Sequence, residues 1–199
     1  MKPTLPMKGQ ITMLIRHGST DNNGEGNIRG WTEGPENQLT EKGKNDAKQA
    51  GIELAKSKIK PDILIPSDLK RAIHSAEIVS KESGVPVGKP EKGLRSQDMG
   101  IYTGKKEKPL RAMLEKFAFD KPGQKLPGST ESHNDFVNRI KTTLEGIKSK
   151  YQGKKIAVVT HHQVERLVDT NFGKEKGKLF NEGVKPGSIV NLKKPVLPV

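Results

Sequence analysis

Three short apolar runs stand out from a polar chain: QITMLIR (10–16), DILIPS (62–67) and KKIAVVT (154–160). They are rich in β-branched residues and show no helical period, the pattern of strands buried on both faces. SIVNL (188–192) and Val85-Pro86-Val87 are shorter strand candidates. Between the runs, apolar positions recur three and four residues apart. Ala47, Ala50, Leu54 and Ala55 share one face of a helix capped by Thr40 and running to about Lys58. Leu69, Ala72, Ile73, Ala76, Ile78 and Val79 mark a second helix, capped by Ser67 or Asp68. Residues 107–119 read as a short helix. Ser129 or Thr130 opens a longer one ending near Lys150, with Phe136, Val137, Ile140, Leu144 and Ile147 inward. A last helix spans about His162 to Asn171. Continuous apolar strands alternating with amphipathic helices predict an α/β fold, a three-layer αβα sandwich with a mostly parallel central sheet and helices on both faces. No composition shift divides the chain, so residues 1–199 read as one domain. The Gly-rich stretches 22–38 and 88–128 read as cap loops over one edge of the sheet.

In such folds ligands bind beyond the carboxyl ends of the strands. Run 10–16 ends at Arg16-His17-Gly18, run 62–67 at Ser67-Asp68 with Arg71 one turn further on, and run 154–160 at His161-His162. The topology therefore gathers two arginines and two or three histidines on one rim. Arginine offers a forked, permanently charged donor suited to phosphate. Histidine serves as nucleophile, acid or base near neutral pH. Gly18 would let the backbone approach a ligand closely.

Composition narrows the choice. There is no cysteine, which excludes disulfides, thiolate metal sites and cysteine nucleophiles. Adjacent histidines rarely share a metal, and no His-x-His or His-x₃-His spacing occurs, so no metal site is expected. The net charge is +13, yet the lysines are dispersed and aromatics make up only 4 % of residues. That argues against nucleic acid as a partner and for a lysine-coated surface that attracts anions. No apolar stretch has the length of a membrane span or a signal peptide, so a cytoplasmic protein is expected.

Four segments together resemble the histidine phosphatase superfamily, the phosphoglycerate-mutase-like fold. Arg16-His17-Gly18, with Thr20 and Asn23 at matching spacings, is similar to its Arg-His-Gly signature. SDLKRAIHSAEI (67–78) resembles the second signature, GSTESHNDFVNRI (128–140) the Gly-Glu-Ser segment, and AVVTHH (157–162) the strand ending in the second catalytic histidine. The resemblance implies that His17 attacks phosphorus and carries a phosphohistidine, while Arg16, Arg71 and His161 hold the phosphoryl oxygens. It assigns Gly18, Thr20, Asn23, Glu131 and His162 to substrate binding, with no cofactor. Glu131 and Ser132 read equally well as caps of the following helix, and His162 as a helix-start residue. His74 and His133 read as surface or structural. Trp31 packs over the core or walls the pocket. The substrate would be a phosphorylated small molecule or a phosphoprotein; oligomeric state is not encoded in these motifs.

One position departs from the family pattern. The acid that protonates the leaving group stands in a Leu-Arg-Glu stretch before a Gly-x-x-x-Gly segment. Here that stretch is LRSQDMGIYTG (94–104), with Ser96 at the acid position. Three alternatives follow. Asp98, on the same side of an extended segment as Ser96, takes over as catalytic acid; another carboxylate, such as Glu131 or one in 22–38, reaches in; or there is no strong acid. Loss of an acid costs about 10²–10⁴-fold where protonation limits the rate. The last alternative leaves an enzyme for good leaving groups, or a weak or inactive phosphate-binding module. About 30 residues separate Gly100 from Glu131, a shorter insertion than mutases of the family carry, which favours a phosphatase over a mutase-type phosphotransferase.

Overall fold

The computed structural model describes residues 8–21, 26–170, 172 and 185–192. Four strands form one sheet: β1 (Gln10–Arg16), β2 (Ile63–Pro66), β3 (Lys155–Thr160) and β4 (Ile189–Asn191), in the order β2-β3-β1-β4. The pairs β2/β3 and β3/β1 are parallel, and β4 closes the β1 edge antiparallel. The helices described are α1 (Glu41–Lys56), α2 (Lys70–Ser83), α3 (Glu107–Asp120), α4 (His133–Lys150) and α5 (His162–Asp169).

Alternate strand residues face opposite layers. Met13, Ile15, Leu64, Ala157 and Val159 pack with Ala47, Ala50 and Leu54 of α1 and Ala76 and Val79 of α2. Ile11, Leu14, Ile65, Ile156 and Val158 pack with Leu114 of α3, Phe136, Ile140, Leu144 and Ile147 of α4, and Val164 and Leu167 of α5. The predicted sandwich is thus present, with α1 and α2 on one face and α3, α4 and α5 on the other. A β-bulge lies in β1: Ile11 pairs with Ile156 and Met13 with Ala157, so Thr12 is an extra residue.

Two helix starts differ from the sequence expectation. The second helix begins at Lys70 with Leu69 as its N-cap residue, and neither Ser67 nor Asp68 caps it. Both side chains are engaged elsewhere, Ser67 with His161 and Asp68 with Arg95. The Lys70 N–H donates instead to the Glu33 carboxylate, 3.1 Å away. The long helix starts at His133, not near 129, because Ser132 and Asp135 form a reciprocal capping box. His133 is buried rather than at the surface, its Nδ1 3.2 Å from Gln97 Oε1; His74 is exposed. Asn171 and the tail beyond Leu192 lie outside the described residues.

The chain leaving β1 passes against the first turn of α1. A Cβ on Gly18 would stand 2.1 Å from the Gly43 carbonyl oxygen, and one on Gly43 2.0 Å from that of Ser19. Backbone packing therefore requires glycine at position 18, and its N–H donates to Ser75 Oγ at 3.0 Å. Alanine is the better helix former by about 1 kcal/mol, but this clash is with backbone that cannot swing aside. Gly43→Ala is expected to be a net destabilisation of about 1–3 kcal/mol, read as a lower urea midpoint at unchanged slope; a variant as stable as wild type would contradict the packing assignment.

Candidate active site

The parallel pairing of β1 with β3 sets their ends side by side. Arg16 pairs with Thr160, and the His17 N–H donates to the Thr160 carbonyl at 3.0 Å. His17 and His161 consequently meet edge to face, with ring centroids 5.3 Å apart. β2 ends beside them and delivers Ser67, whose Oγ lies 2.9 Å from His161 Nε2. Arg71 follows as the second residue of α2 and is 1 % exposed.

His17 is fully buried. Its Nδ1 lies 2.7 Å from the Gly18 carbonyl oxygen. A carbonyl only accepts, so Nδ1 carries the proton and the neutral ring presents an Nε2 lone pair. Nε2 has no hydrogen-bond partner among the described residues. Burial, reinforced by Arg29, Arg71, His161 and Arg16, holds the His17 pKa well below the usual histidine value. The same burial and the same three arginines, led by Arg71, act on His161.

A cavity of about 60 Å³ is lined by His161, His162, Arg29, Arg71, Gln163, Glu107 and neighbouring apolar side chains including Met99 and Leu114. Arg71 donates through Nη2 to the Gly30 carbonyl at 3.0 Å and through Nη1 to that of Thr32 at 3.3 Å, while its Nε has no partner among the described residues. Burial lowers the Arg29 pKa to about 9, with Arg16 and Arg71 adding repulsion. Burial likewise lowers Arg71 to about 10 and His162 to about 3, so His162 stands neutral in the wall. Glu165, one turn into α5, is 1 % exposed, and neither carboxyl oxygen has a hydrogen-bond partner among the described residues. Burial raises its pKa to about 7 against the pull of Arg16.

The structure thus brings Arg16, His17, Arg71, His161 and His162 to one place. Gly18 and Thr20 sit behind it, Thr20 buried in a bridge to Leu39. Asn23 lies outside the described residues. Ser96 is buried, and its hydroxyl donates to the Gly30 carbonyl at 3.3 Å.

Asp98 and Glu131 do not belong to the cavity wall. Asp98 accepts from the N–H groups of Gly100 and Thr130 and from the Thr130 hydroxyl, at 2.7–3.1 Å. Burial pushes its pKa up, but those hydrogen bonds outweigh it and the net shift is downward, the opposite of a proton donor's need. Glu131 receives Arg139 through Nε at 2.8 Å and Nη2 at 2.6 Å, and the Asp98 N–H at 3.0 Å. Arg139 in turn donates to the carbonyls of Gly93, Arg95 and Ser96. Trp31 is held by the Ser96 carbonyl at 2.7 Å beneath the Arg95 and Arg139 guanidinium groups. These residues build a brace for segment 93–98, and that is why Asp98 and Glu131 are spoken for.

Arg29, Glu107, Gln163 and Glu165 were not singled out from sequence. Arg29 lies in a loop and Glu107 at the first position of α3, and the folding of these segments over the rim has no local signal. Glu165 had one: a carboxylate on the inward face of α5, between buried Val164 and Leu167.

Comparison with known proteins agrees with this geometry. Residues 12–193 match the family model of the histidine phosphatase superfamily (branch 1). A metal-independent phosphoserine phosphatase of Arabidopsis thaliana is 30 % identical over 187 residues, 91 % of this chain and 76 % of that protein. A 2,3-bisphosphoglycerate-dependent phosphoglycerate mutase of Thermobifida fusca is 40 % identical, but over 73 residues, 37 % of this chain and 28 % of the mutase. Among solved structures, a Thermus thermophilus protein superposes with a TM-score of 0.69 at 28 % identity, covering 95 % of both chains. A mycobacterial glucosyl-3-phosphoglycerate phosphatase reaches 0.71 at 21 % identity over 90 % of this chain and 89 % of its own, a likeness of fold. With its paired histidines and arginines at the carboxyl end of the sheet, this chain belongs to the histidine phosphatase superfamily.

Proposed function

We propose that the protein is a phosphomonoesterase that works through a phosphohistidine on His17. The observation that carries the reading is the state of that ring: buried, Nδ1 bound to its own chain, Nε2 unpartnered beside three arginines. Nε2 attacks phosphorus, and Arg16, Arg29, Arg71 and His161 take the phosphoryl oxygens. Arg71 exchanges two neutral carbonyl acceptors for anionic oxygens, which make stronger, charge-assisted bonds. Transition-state charge is met by donors already in place. Water then attacks the phosphoenzyme. The arginines supply the positive charge that the reaction needs, so the scheme requires no cofactor.

The phosphatase similarity spans most of both chains, whereas the mutase similarity spans 28 % of the mutase. That favours transfer of the phosphoryl group to water over transfer to a second sugar acid. A phosphorylated small molecule fits the small cavity best. A module that binds phosphate without turnover remains the rival, and activity separates the two.

His17→Ala is expected to abolish hydrolysis of 4-nitrophenyl phosphate, and wild type quenched during turnover should carry acid-labile, base-stable phosphate that the variant lacks. Hydrolysis unchanged in His17→Ala would remove His17 as nucleophile. Because the folded His17 pKa is depressed, the ring stays neutral as pH falls through about 6.5, the unfolded value. An NMR titration should therefore show no protonation of His17 down to about pH 5.5; a normal titration curve would refute the buried, neutral nucleophile.

Asp98→Asn tests the brace. The folded carboxyl pKa is depressed, so its contribution is present above about 3.9 and is lost as pH falls through the lower folded value. The variant should be about 1 kcal/mol less stable at pH 7, with the difference shrinking in acid and with the same relative rates on aryl and alkyl phosphates. A selective loss on alkyl phosphates would restore Asp98 as the acid.

A further inference from the structure

Ser96 cannot protonate a leaving group; of the candidates to replace it, Asp98, Glu131 and Glu33 are engaged elsewhere, and Glu25 and the Glu36 side chain lie outside the described residues. We propose that Glu107, in the first turn of α3, is the proton donor of this site; the inference rests on the phosphatase reading above. Among the described residues lining the cavity, Glu107 is the one carboxylate, and it shares that wall with Arg29, Arg71 and His161. Its charge acts on both Arg16 and Arg29.

The backbone fixes Glu107 relative to the phosphoryl ligands. The segment before α3 is stitched to the loop that carries Arg29. The Gly104 N–H donates to the Ile28 carbonyl at 2.7 Å, the Ile28 N–H to that of Lys105 at 2.9 Å, and the Glu107 N–H to that of Gly26 at 2.9 Å. Asn27 and Lys106 pair as an antiparallel bridge. Arg29 and Glu107 thus hang from two sides of one small ribbon, and a group held by the first is presented to the second. The side chain meets Arg111 Nη2 through Oε1 at 3.3 Å, a pair that is 42 % and 36 % exposed. Such a bond is weak and yields readily to substrate.

The other carboxylates considered among the described residues are occupied or sealed. Asp98 and Glu131 brace segment 93–98. Asp68 takes two bonds from Arg95 at 2.7 Å. Glu33 caps α2. Glu165 is buried and does not line the cavity.

The steps balance. The Nε2–P bond forms as the P–O bond to the leaving group breaks. The electron pair goes to the departing oxygen, which takes the Glu107 proton and leaves as an alcohol. The Glu107 carboxylate then removes a proton from the water that attacks phosphorus. The N–P bond breaks, and phosphate, neutral His17 and protonated Glu107 result.

The test compares Glu107→Gln with wild type on 4-nitrophenyl phosphate, whose leaving group needs no proton, and on 2-glycerophosphate, whose leaving group does. The quantity is kcat/KM, which reports phosphoenzyme formation. Loss of about 10²-fold or more on the alkyl ester, with the aryl ester within about threefold and partial recovery in Glu107→Asp, is the expected result. Equal losses on both esters, no loss on either, or a wild type inert toward the alkyl ester would overturn Glu107 as donor while leaving the His17 mechanism intact. A wild type inert toward both, with no phosphoenzyme, would fell the phosphatase reading and this inference with it.

Discussion

Three arginines, Arg16, Arg29 and Arg71, converge at the carboxyl end of the sheet, close enough that each contributes to the field on His17 and His161. Most of the site follows from that crowding. Burial lowers the pKa values of Arg29 and Arg71, with Arg16 and Arg71 adding repulsion at Arg29 and Arg95 at Arg71, and burial reinforced by the three arginines holds His17 and His161 neutral. Two carboxylates, Glu107 in the cavity wall and buried Glu165, act on Arg16 in the opposite sense. A phosphoryl dianion would relieve this crowding, and the same surroundings keep the His17 ring neutral.

The cluster is costly to bury, and the surrounding structure offsets part of the cost with neutral acceptors. Arg71 leans on the carbonyls of Gly30 and Thr32. The loop supplying them is anchored by Trp31 to Ser96 and by Glu33 to the start of α2. Arg139, with all its donors engaged, holds the far side through the carbonyls of residues 93–96. Backbone oxygens can satisfy a guanidinium without competing for the anion as a carboxylate would.

The strands, helices and layer order were legible because each apolar run is continuous and each helix keeps its period. Arg16, His17, Arg71, His161 and His162 were legible for a related reason, since strand ends in a parallel sheet share one rim. Helix starts were harder to see. Ser67 and Asp68 look like caps locally, but His161 and Arg95, distant in sequence, claim them. Asp98 failed similarly: strand-like alternation put it beside Ser96, whereas a 3-10 turn from Gly100 and the Thr130 backbone folded it away. Arg29 and Glu107 depend on a ribbon between two loops about 80 residues apart, which no local period encodes.

The bulge at Thr12 carries a consequence for how this protein tolerates change. Thr12 lies between a strand start, Gln10 and Ile11, and a strand end that leads into His17. Downstream of it, the pairing from Met13 to Arg16 runs in step with Ala157 to Thr160. A one-residue slip in an unbroken strand would turn every side chain to the opposite layer. With an irregular position already built in, a length change near the amino end of β1 is absorbed there, and the register that seats His17 against His161 is inherited unaltered. The pairing that seats His17 is thereby insulated from the amino end of its own strand.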